Sequence, residues 1–161
     1  MIIRAADPGD ARLVAALWNE MIRTSLATFT TAEKTTADVK SLIANRKNAF
    51  WVAETDHGLG FVTYGPFRSG PGYAATVEHT IILDPAAQGQ GLGRALMAHA
   101  MKTAAADHLH VMVAAISSAN PSAVAFHTSL GFEQTGLMPE VGRKNGQWLD
   151  LILMQKTLTP R

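Results

Sequence analysis

The chain has 161 residues, 47% of them hydrophobic, and 14 Lys and Arg against 13 Asp and Glu leave a formal net charge of +1. That suits one domain over residues 1–161 with a substantial core, and no basic tract points to nucleic acid or an anionic membrane surface. The chain has no cysteine, which excludes disulfides, a thiolate nucleophile and a cysteine-ligated zinc. No stretch reaches the ~20 apolar residues of a membrane span and no signal-peptide core follows Met1, so a cytoplasmic setting is expected.

Ile2 to Ala5 reads as a first strand. Asp7-Pro8-Gly9-Asp10 then offers an N-cap, a proline at the first helical position and early negative charge, and Ala11 to Ile22 carries helical periodicity. Ser25 to Thr31 is polar and β-branched and reads as a loop. Thr36 to Asn45 reads as a second helix. Phe50 to Glu54 and Gly60 to Gly65 read as strands joined by a turn at Asp56-His57-Gly58. Pro66 to Gly72 is a Pro/Gly-rich loop, and Tyr73 to Leu83 a central strand. Gly91 to Ala106 is a helix, ended by Asp107, and His110 to Ile116 a strand. Asn120-Pro121 opens a helix that runs to Leu130 and stops at Gly131. Glu133 to Leu137 and Leu149 to Gln155 are the closing strands. The order β-α-α-β-β-β-α-β-α-β-β is an α+β layout with one sheet.

The informative junction is Ile81-Ile82-Leu83-Asp84-Pro85-Ala86-Ala87-Gln88-Gly89-Gln90-Gly91-Leu92-Gly93-Arg94. An apolar strand enters a glycine-studded loop that opens directly into a helix. Free N–H groups and the positive end of a helix dipole converge there, which suits a phosphate or pyrophosphate. The plainer reading is a tight turn with no ligand, but a plain turn rarely needs three alternating glycines. A Walker A loop would end in Gly-Lys-Ser/Thr, whereas Gly93 is followed by Arg94-Ala95. A Rossmann fingerprint would place its third glycine at Arg94 and an acidic residue ~20 positions on, and Asp107 comes too early.

What remains, Gln88-x-x-Gly91-x-Gly93, resembles the pyrophosphate loop of the GNAT acetyltransferases. Four further segments narrow the resemblance: Gly65-Pro66-Phe67-Arg68, Thr76-Val77-Glu78-His79-Thr80-Ile81, Asn120 through Phe132, and Gly142 through Asp150. Together they are similar to the phosphinothricin and methionine sulfoximine N-acetyltransferase branch over nearly the whole chain. Pro71 and Ala74 depart from the charged residues common in that branch. So does Lys144-Asn145-Gly146-Gln147-Trp148, where an aromatic and an arginine are common. The resemblance implies the GNAT fold, a single central mixed and mostly antiparallel sheet, splayed at the cofactor site and flanked by helices. It also implies acetyl-CoA as co-substrate, a small-molecule amine or amino-acid acceptor, and a homodimer.

By the same resemblance, Gln88, Gly89, Gln90, Gly91, Leu92, Gly93 and Arg94 take the pyrophosphate. The pantetheine arm pairs with the backbone of Ile81, Ile82 and Leu83, and Asn120 contacts the pantetheine or acetyl end. Asn120 before a proline is also a strong helix cap. Glu78 is the expected base, its pKa raised by its apolar neighbours; the alternative is a strand glutamate paired with an arginine such as Arg68. His127, two turns beyond Asn120, is the expected acid for the departing thiolate, or else a helix-face histidine bonded to a carbonyl. Arg68, Ser69 and Gly70 are expected to join Glu78, His79 and Thr80 around the acceptor, with Arg68 holding a carboxylate. Strand alternation turns His79 to the face opposite Glu78, a structural position unless a bulge brings it into the site. Lys144 reads as a solvated turn residue, or with Trp148 as a wall of the acceptor pocket. His108-x-His110 lacks a third ligand, so no metal is expected. The function implied is direct acetyl transfer to the α-amino group of phosphinothricin, methionine sulfoximine or methionine sulfone. A protein or peptide N-acetyltransferase and a non-catalytic acyl-CoA sensor are the alternatives.

Overall fold

The computed structural model describes residues 1–160. Seven strands form one sheet: β1 (Ile2–Ala5), β2 (Phe50–Thr55), β3 (Gly58–Pro66), β4 (Thr76–Leu83), β5 (Val111–Ser117), β6 (Glu133–Lys144) and β7 (Gln147–Thr157). Their order across the sheet is β1-β2-β3-β4-β5-β7-β6, and only β4 and β5 run parallel. The helices are α1 (Ala11–Thr24), α2 (Thr36–Asn45), α3 (Leu92–Ala106) and α4 (Pro121–Ser129). The expected α+β architecture with a mixed, mostly antiparallel sheet is the one found.

Alternation along the strands sorts side chains onto two apolar faces. Phe50, Val52, Phe61 and Ile82 pack with Val14, Trp18 and Ile22 of α1 and with Val39 and Ile43 of α2. Trp51, Val62, Val77, Met112 and Met154 pack with Leu92, Leu96, Met97 and Ala100 of α3. With both faces covered, the central strands are apolar at odd and even positions alike.

Local chemistry sets several element ends. Asp7 and Asp10 form a capping box on a one-turn 3-10 helix at Pro8–Asp10, and Asp10 also takes a two-pronged hydrogen bond from Arg4 at 2.8 Å. Thr35 and Asp38 form the same box at the head of α2. β4 begins at Thr76, later than expected, because Pro71–Tyr73 forms a 3-10 turn first. β6 runs to Lys144, beyond the expected Leu137, through register shifts between Gln134 and Gly136 and between Met138 and Gly142. Glu140, at φ 56°, lies in the second irregularity.

The decisive irregularity lies between β4 and β5. They pair only at Thr76 with Val111, Val77 with Met112 and Glu78 with Val113. Beyond that point β4 stays with β3 and β5 stays with β7. The sheet therefore splays, and the β5-facing backbone of Thr80 to Leu83 has no strand partner. This is the expected splay.

Candidate active site

The splay opens a cleft of about 720 Å³ that reaches both faces of the sheet. Strand parity gives it two walls. Glu78, Thr80 and Ile82 belong to the α1 and α2 side, together with Trp18, Met21, Thr28, Thr30 and Lys34. His79, Ile81 and Leu83 belong to the α3 and α4 side, together with the glycine loop, Asn120, Phe126 and His127.

The loop ends at Gly91, which heads α3 at φ 82° with no side-chain cap. Only glycine adopts that conformation freely, and a Cβ there would meet nothing within 4 Å. The first-turn N–H groups of a 15-residue helix thus face open space at the end of the cleft. Gln88, Gly89, Gly91, Gly93 and Arg94 line the cleft. Leu92 does not: its side chain is fully buried against the sheet, because it begins the apolar stripe of α3. Gln90 points out of the cleft, its side-chain amide 3.5 Å from Ala86 O. Of Leu92 only the backbone is available to a ligand, whereas the Gln90 side chain is exposed outside the cleft.

Asn120 caps α4, accepting from the N–H of Ala123 at 3.3 Å, and also lines the cleft. His127 is buried and its Nδ1 lies 2.7 Å from Ala123 O. Its Nε2 lies 2.9 Å from Nε2 of His79, whose Nδ1 is 3.0 Å from Val113 O. Burial pushes both imidazoles below their ordinary range, and His79, which also feels His127, falls to about 3. Although expected among the acceptor-binding residues, His79 turns to the α4 face, as the parity of the strand requires.

Glu78 stands at the opposite wall. Its side chain is reached by solvent, yet the surrounding protein raises its pKa, and the charge of Arg46 partly reverses that shift. The arginine beside Glu78 is therefore Arg46, a residue the sequence did not single out. Gly65 faces Glu78 across the β3–β4 ladder, and a Cβ on Gly65 would overlap the Arg46 guanidinium. Arg46 Nη1 also donates to Thr63 Oγ1 at 3.2 Å. Thr63, Gly65, Glu78 and Thr80 share one strand face, with Arg46 laid across it.

Arg68, Ser69 and Gly70 do not line this cleft. They line a second depression of about 700 Å³ with Arg46, Tyr64, Gly65, Tyr73 and Val77. The expectation of one shared wall is corrected: Val77 and Glu78, adjacent on β4, face different hollows, so the two depressions adjoin along the strand. Buried Tyr64 Oη has no hydrogen-bond partner, and burial pushes its pKa up to about 12.

Lys144 is not a solvated turn residue. It is 4% exposed and donates to Ile22 O, Ser25 O and Thr28 O at 2.8, 2.7 and 3.0 Å. Burial lowers its pKa. Asn19 ties the same segment further on, donating to Lys34 O and accepting from Lys34 N–H, both at 2.8 Å. The segment after α1, which reads as a plain loop, is thus a pinned wall of the cleft. Trp148 closes nothing; it is 59% exposed, with the Arg143 guanidinium 4.2 Å from its ring centroid.

The family model for the acetyltransferase (GNAT) family matches residues 16–132. The chain belongs to that family. It is 36% identical over 163 residues to an L-methionine sulfoximine/L-methionine sulfone acetyltransferase of Pseudomonas aeruginosa, with 98% of this chain and 95% of the relative covered. The structure of yncA, a putative acetyltransferase from Salmonella typhimurium with its cofactor acetyl-CoA, superposes with a TM-score of 0.93. That pair shares 35% identity and covers 100% and 95% of the two chains. A ribosomal-protein-alanine N-acetyltransferase from Brucella melitensis gives a TM-score of 0.92 at 32% identity, covering 98% and 99%.

The site of this acetyltransferase suits a long anionic thioester. An uncapped helix N-terminus at one end suits a pyrophosphate, and the unpaired β4 backbone beside it suits an extended amide-bearing arm. No cluster of three metal-ligating side chains occurs among the described residues.

Proposed function

We propose that this acetyltransferase moves the acetyl group of acetyl-CoA directly onto the α-amino group of a small amino acid of the methionine sulfoximine, methionine sulfone or phosphinothricin type. The observation that carries the reading is Glu78, a carboxylate of raised pKa on the wall opposite the glycine loop, at the point where the sheet splays. Acetyl-CoA enters from the α3 and α4 side, and the acceptor from the α1 and α2 side. The similarity of 36% over nearly the whole length to an enzyme named for these substrates supports the acceptor class.

In this reading the N–H groups of residues 89–94 hold the pyrophosphate and the free edge of Ile81 to Leu83 holds the arm. An N–H of that edge also draws charge from the thioester carbonyl. Glu78 takes a proton from the acceptor ammonium, which makes the amine nucleophilic. His127 supplies the proton that the departing sulfur needs. Arg68 holds the acceptor carboxylate from the adjoining depression, and Arg46 keeps Glu78 ionised. We also assign the chain a cytoplasmic setting, consistent with its lack of cysteine, and a homodimeric state. The exposed apolar side chains of Leu137, Met138 and Val141 on the outer strand β6 support pairing with a second copy.

Mass spectrometry of a reaction with acetyl-CoA and methionine sulfone tests the reading. The product expected is the mono-acetyl derivative, blocked at the α-nitrogen. Unchanged methionine sulfone, sulfoximine and phosphinothricin would refute it. The similarity to a ribosomal-protein-alanine N-acetyltransferase favours one second reading, acetylation of a peptide N-terminus, so a peptide beginning with Ala belongs in the same panel.

A further inference from the structure

Three polar contacts hold the imidazoles buried between β4 and α4. His79 Nδ1 meets Val113 O, His127 Nδ1 meets Ala123 O, and the two Nε2 atoms meet each other at 2.9 Å. A carbonyl oxygen only accepts, so each Nδ1 must carry a proton. Two neutral imidazoles have two ring protons between them. Those two are then committed to the carbonyls, and two Nε2 lone pairs face each other at hydrogen-bond distance. Any other placement of two protons moves the mismatch onto a carbonyl. Three contacts require three protons, and a pair with three ring protons carries one positive charge.

The surroundings say which ring holds the charge. Both rings are buried, and desolvation with the neighbouring His127 lowers the His79 pKa strongly, which keeps His79 neutral. His127 lies in the last turn of α4, where the carbonyl end of the helix favours a cation. Burial lowers the His127 pKa on balance, and the Ala123 carbonyl offsets part of that. The lone pair of His79 favours the charged form further. No carboxylate takes part. Glu78 lies on the other face of β4, β5 has no ionisable residue, and α4 has none besides His127. Near the end of α4, Arg94 donates to Ser129 Oγ and Lys156 to Leu130 O. Both are cations and oppose the charge.

We infer that His79 is a positioning residue: fixed as its Nδ1–H tautomer by Val113 O, it offers its Nε2 lone pair to His127 and keeps His127 protonated beside the departing sulfur. This rests on the reading of His127 as the acid. The proton balance is then complete. The C–N bond forms, the C–S bond breaks, and sulfur leaves with the electron pair. The His127 proton passes to sulfur, and solvent restores it after CoA departs. The two protons lost by the ammonium leave through Glu78 to solvent, for a net release of one.

Two measurements test it. Long-range proton–nitrogen NMR of 15N-histidine-labelled wild-type protein at pH 7 counts the ring protons, with no variant required. Three across the pair are expected; two overturn the inference. Kinetics then test the role. His79→Phe should lower kcat on the order of ten- to a hundredfold. It should also move the alkaline limb of the kcat profile down by about one pH unit, with KM for acetyl-CoA unchanged. His79→Gln, whose amide oxygen can accept from His127, should restore that limb. An unmoved limb in His79→Phe overturns the positioning role. If His127→Phe keeps full activity, the acid reading fails instead, whatever the proton count.

Discussion

Arg46→Met isolates the effect of one charge on the proposed base. Gly65 and Glu78 face each other across the ladder, and the Arg46 guanidinium lies against Gly65. Cross-strand Cβ atoms stand ~5 Å apart, and roughly 6 Å serves as the working separation of guanidinium and carboxylate. Coulomb attraction at that distance is about 2.8 kcal/mol at an effective dielectric of 20 and about 0.7 kcal/mol in water. Glu78 is open to solvent, so the lower part of that range applies. Burial raises the Glu78 pKa and Arg46 lowers it. Removing Arg46 must therefore raise it further. A base works only when deprotonated, so the acid limb of kcat/KM should move to higher pH by about half to one unit. At pH well above the limb, this effect of the substitution should vanish. The assay is release of free thiol from acetyl-CoA between pH 5 and 9, and the cysteine-free protein adds no background. Glu78→Gln is the reference: it should abolish the limb and lower kcat/KM on the order of 10²–10⁴-fold. A limb that stays in place in Arg46→Met, or moves to lower pH, refutes the electrostatic reasoning. A Glu78→Gln protein within about threefold of wild type across this range refutes Glu78 as the base, since general-base losses are far larger.

Lys144→Met leaves three carbonyls without their ammonium and should cost ~1.5–3 kcal/mol in a denaturant melt. The cleft wall after α1 loosens with it, so KM for the acceptor should rise while KM for acetyl-CoA stays; equal changes in both would contradict that assignment. Gly91→Ala places a Cβ at φ 82° in open space, so only backbone strain is added, roughly 1 kcal/mol or about 2–4 °C in Tm. Calorimetry should show weaker acetyl-CoA binding by the folded variant, and unchanged affinity would remove the loop from the pyrophosphate site. Arg68→Met should raise KM for the amino acid roughly ten- to a hundredfold, with the carboxamide analogue unaffected. If wild type acetylates acid and carboxamide equally, Arg68 holds no carboxylate.

The elements that position the cleft were legible where sequence and local chemistry agree. The expected Thr36 to Asn45 coincides with α2, whose start the capping box of Thr35 and Asp38 fixes, and the bounds of α3 follow from the glycine loop and Asp107. The alternate faces of Glu78 and His79 follow from strand parity alone. Three features were not legible. Asn145-Gly146, at φ 52° and 75°, is the tight turn joining β6 to β7, a hairpin signal overlooked in a segment treated as a site motif. The irregular pairing around Pro139 and Glu140 hid the length of β6. Arg46, Lys144 and the His79–His127 pair act through partners far away in the chain, with Lys144 meeting carbonyls 116 to 122 residues earlier. No local pattern encodes such meetings. Arg68 reads as a wall of the cleft for a related reason: it is only ten residues before Glu78, the first strand-borne residue of that wall, yet its loop lines the adjoining hollow.

The reaction assigned to this site is acetyl transfer to the free α-amine of a small amino acid. It is tested most directly by kcat/KM for methionine sulfone beside a peptide beginning with Ala, under one concentration of acetyl-CoA. Saturable thiol release with methionine sulfone, a 1:1 yield of its N-acetyl product, and little turnover of the peptide are expected. Efficient acetylation of the peptide with no turnover of methionine sulfone, methionine sulfoximine or phosphinothricin would contradict it.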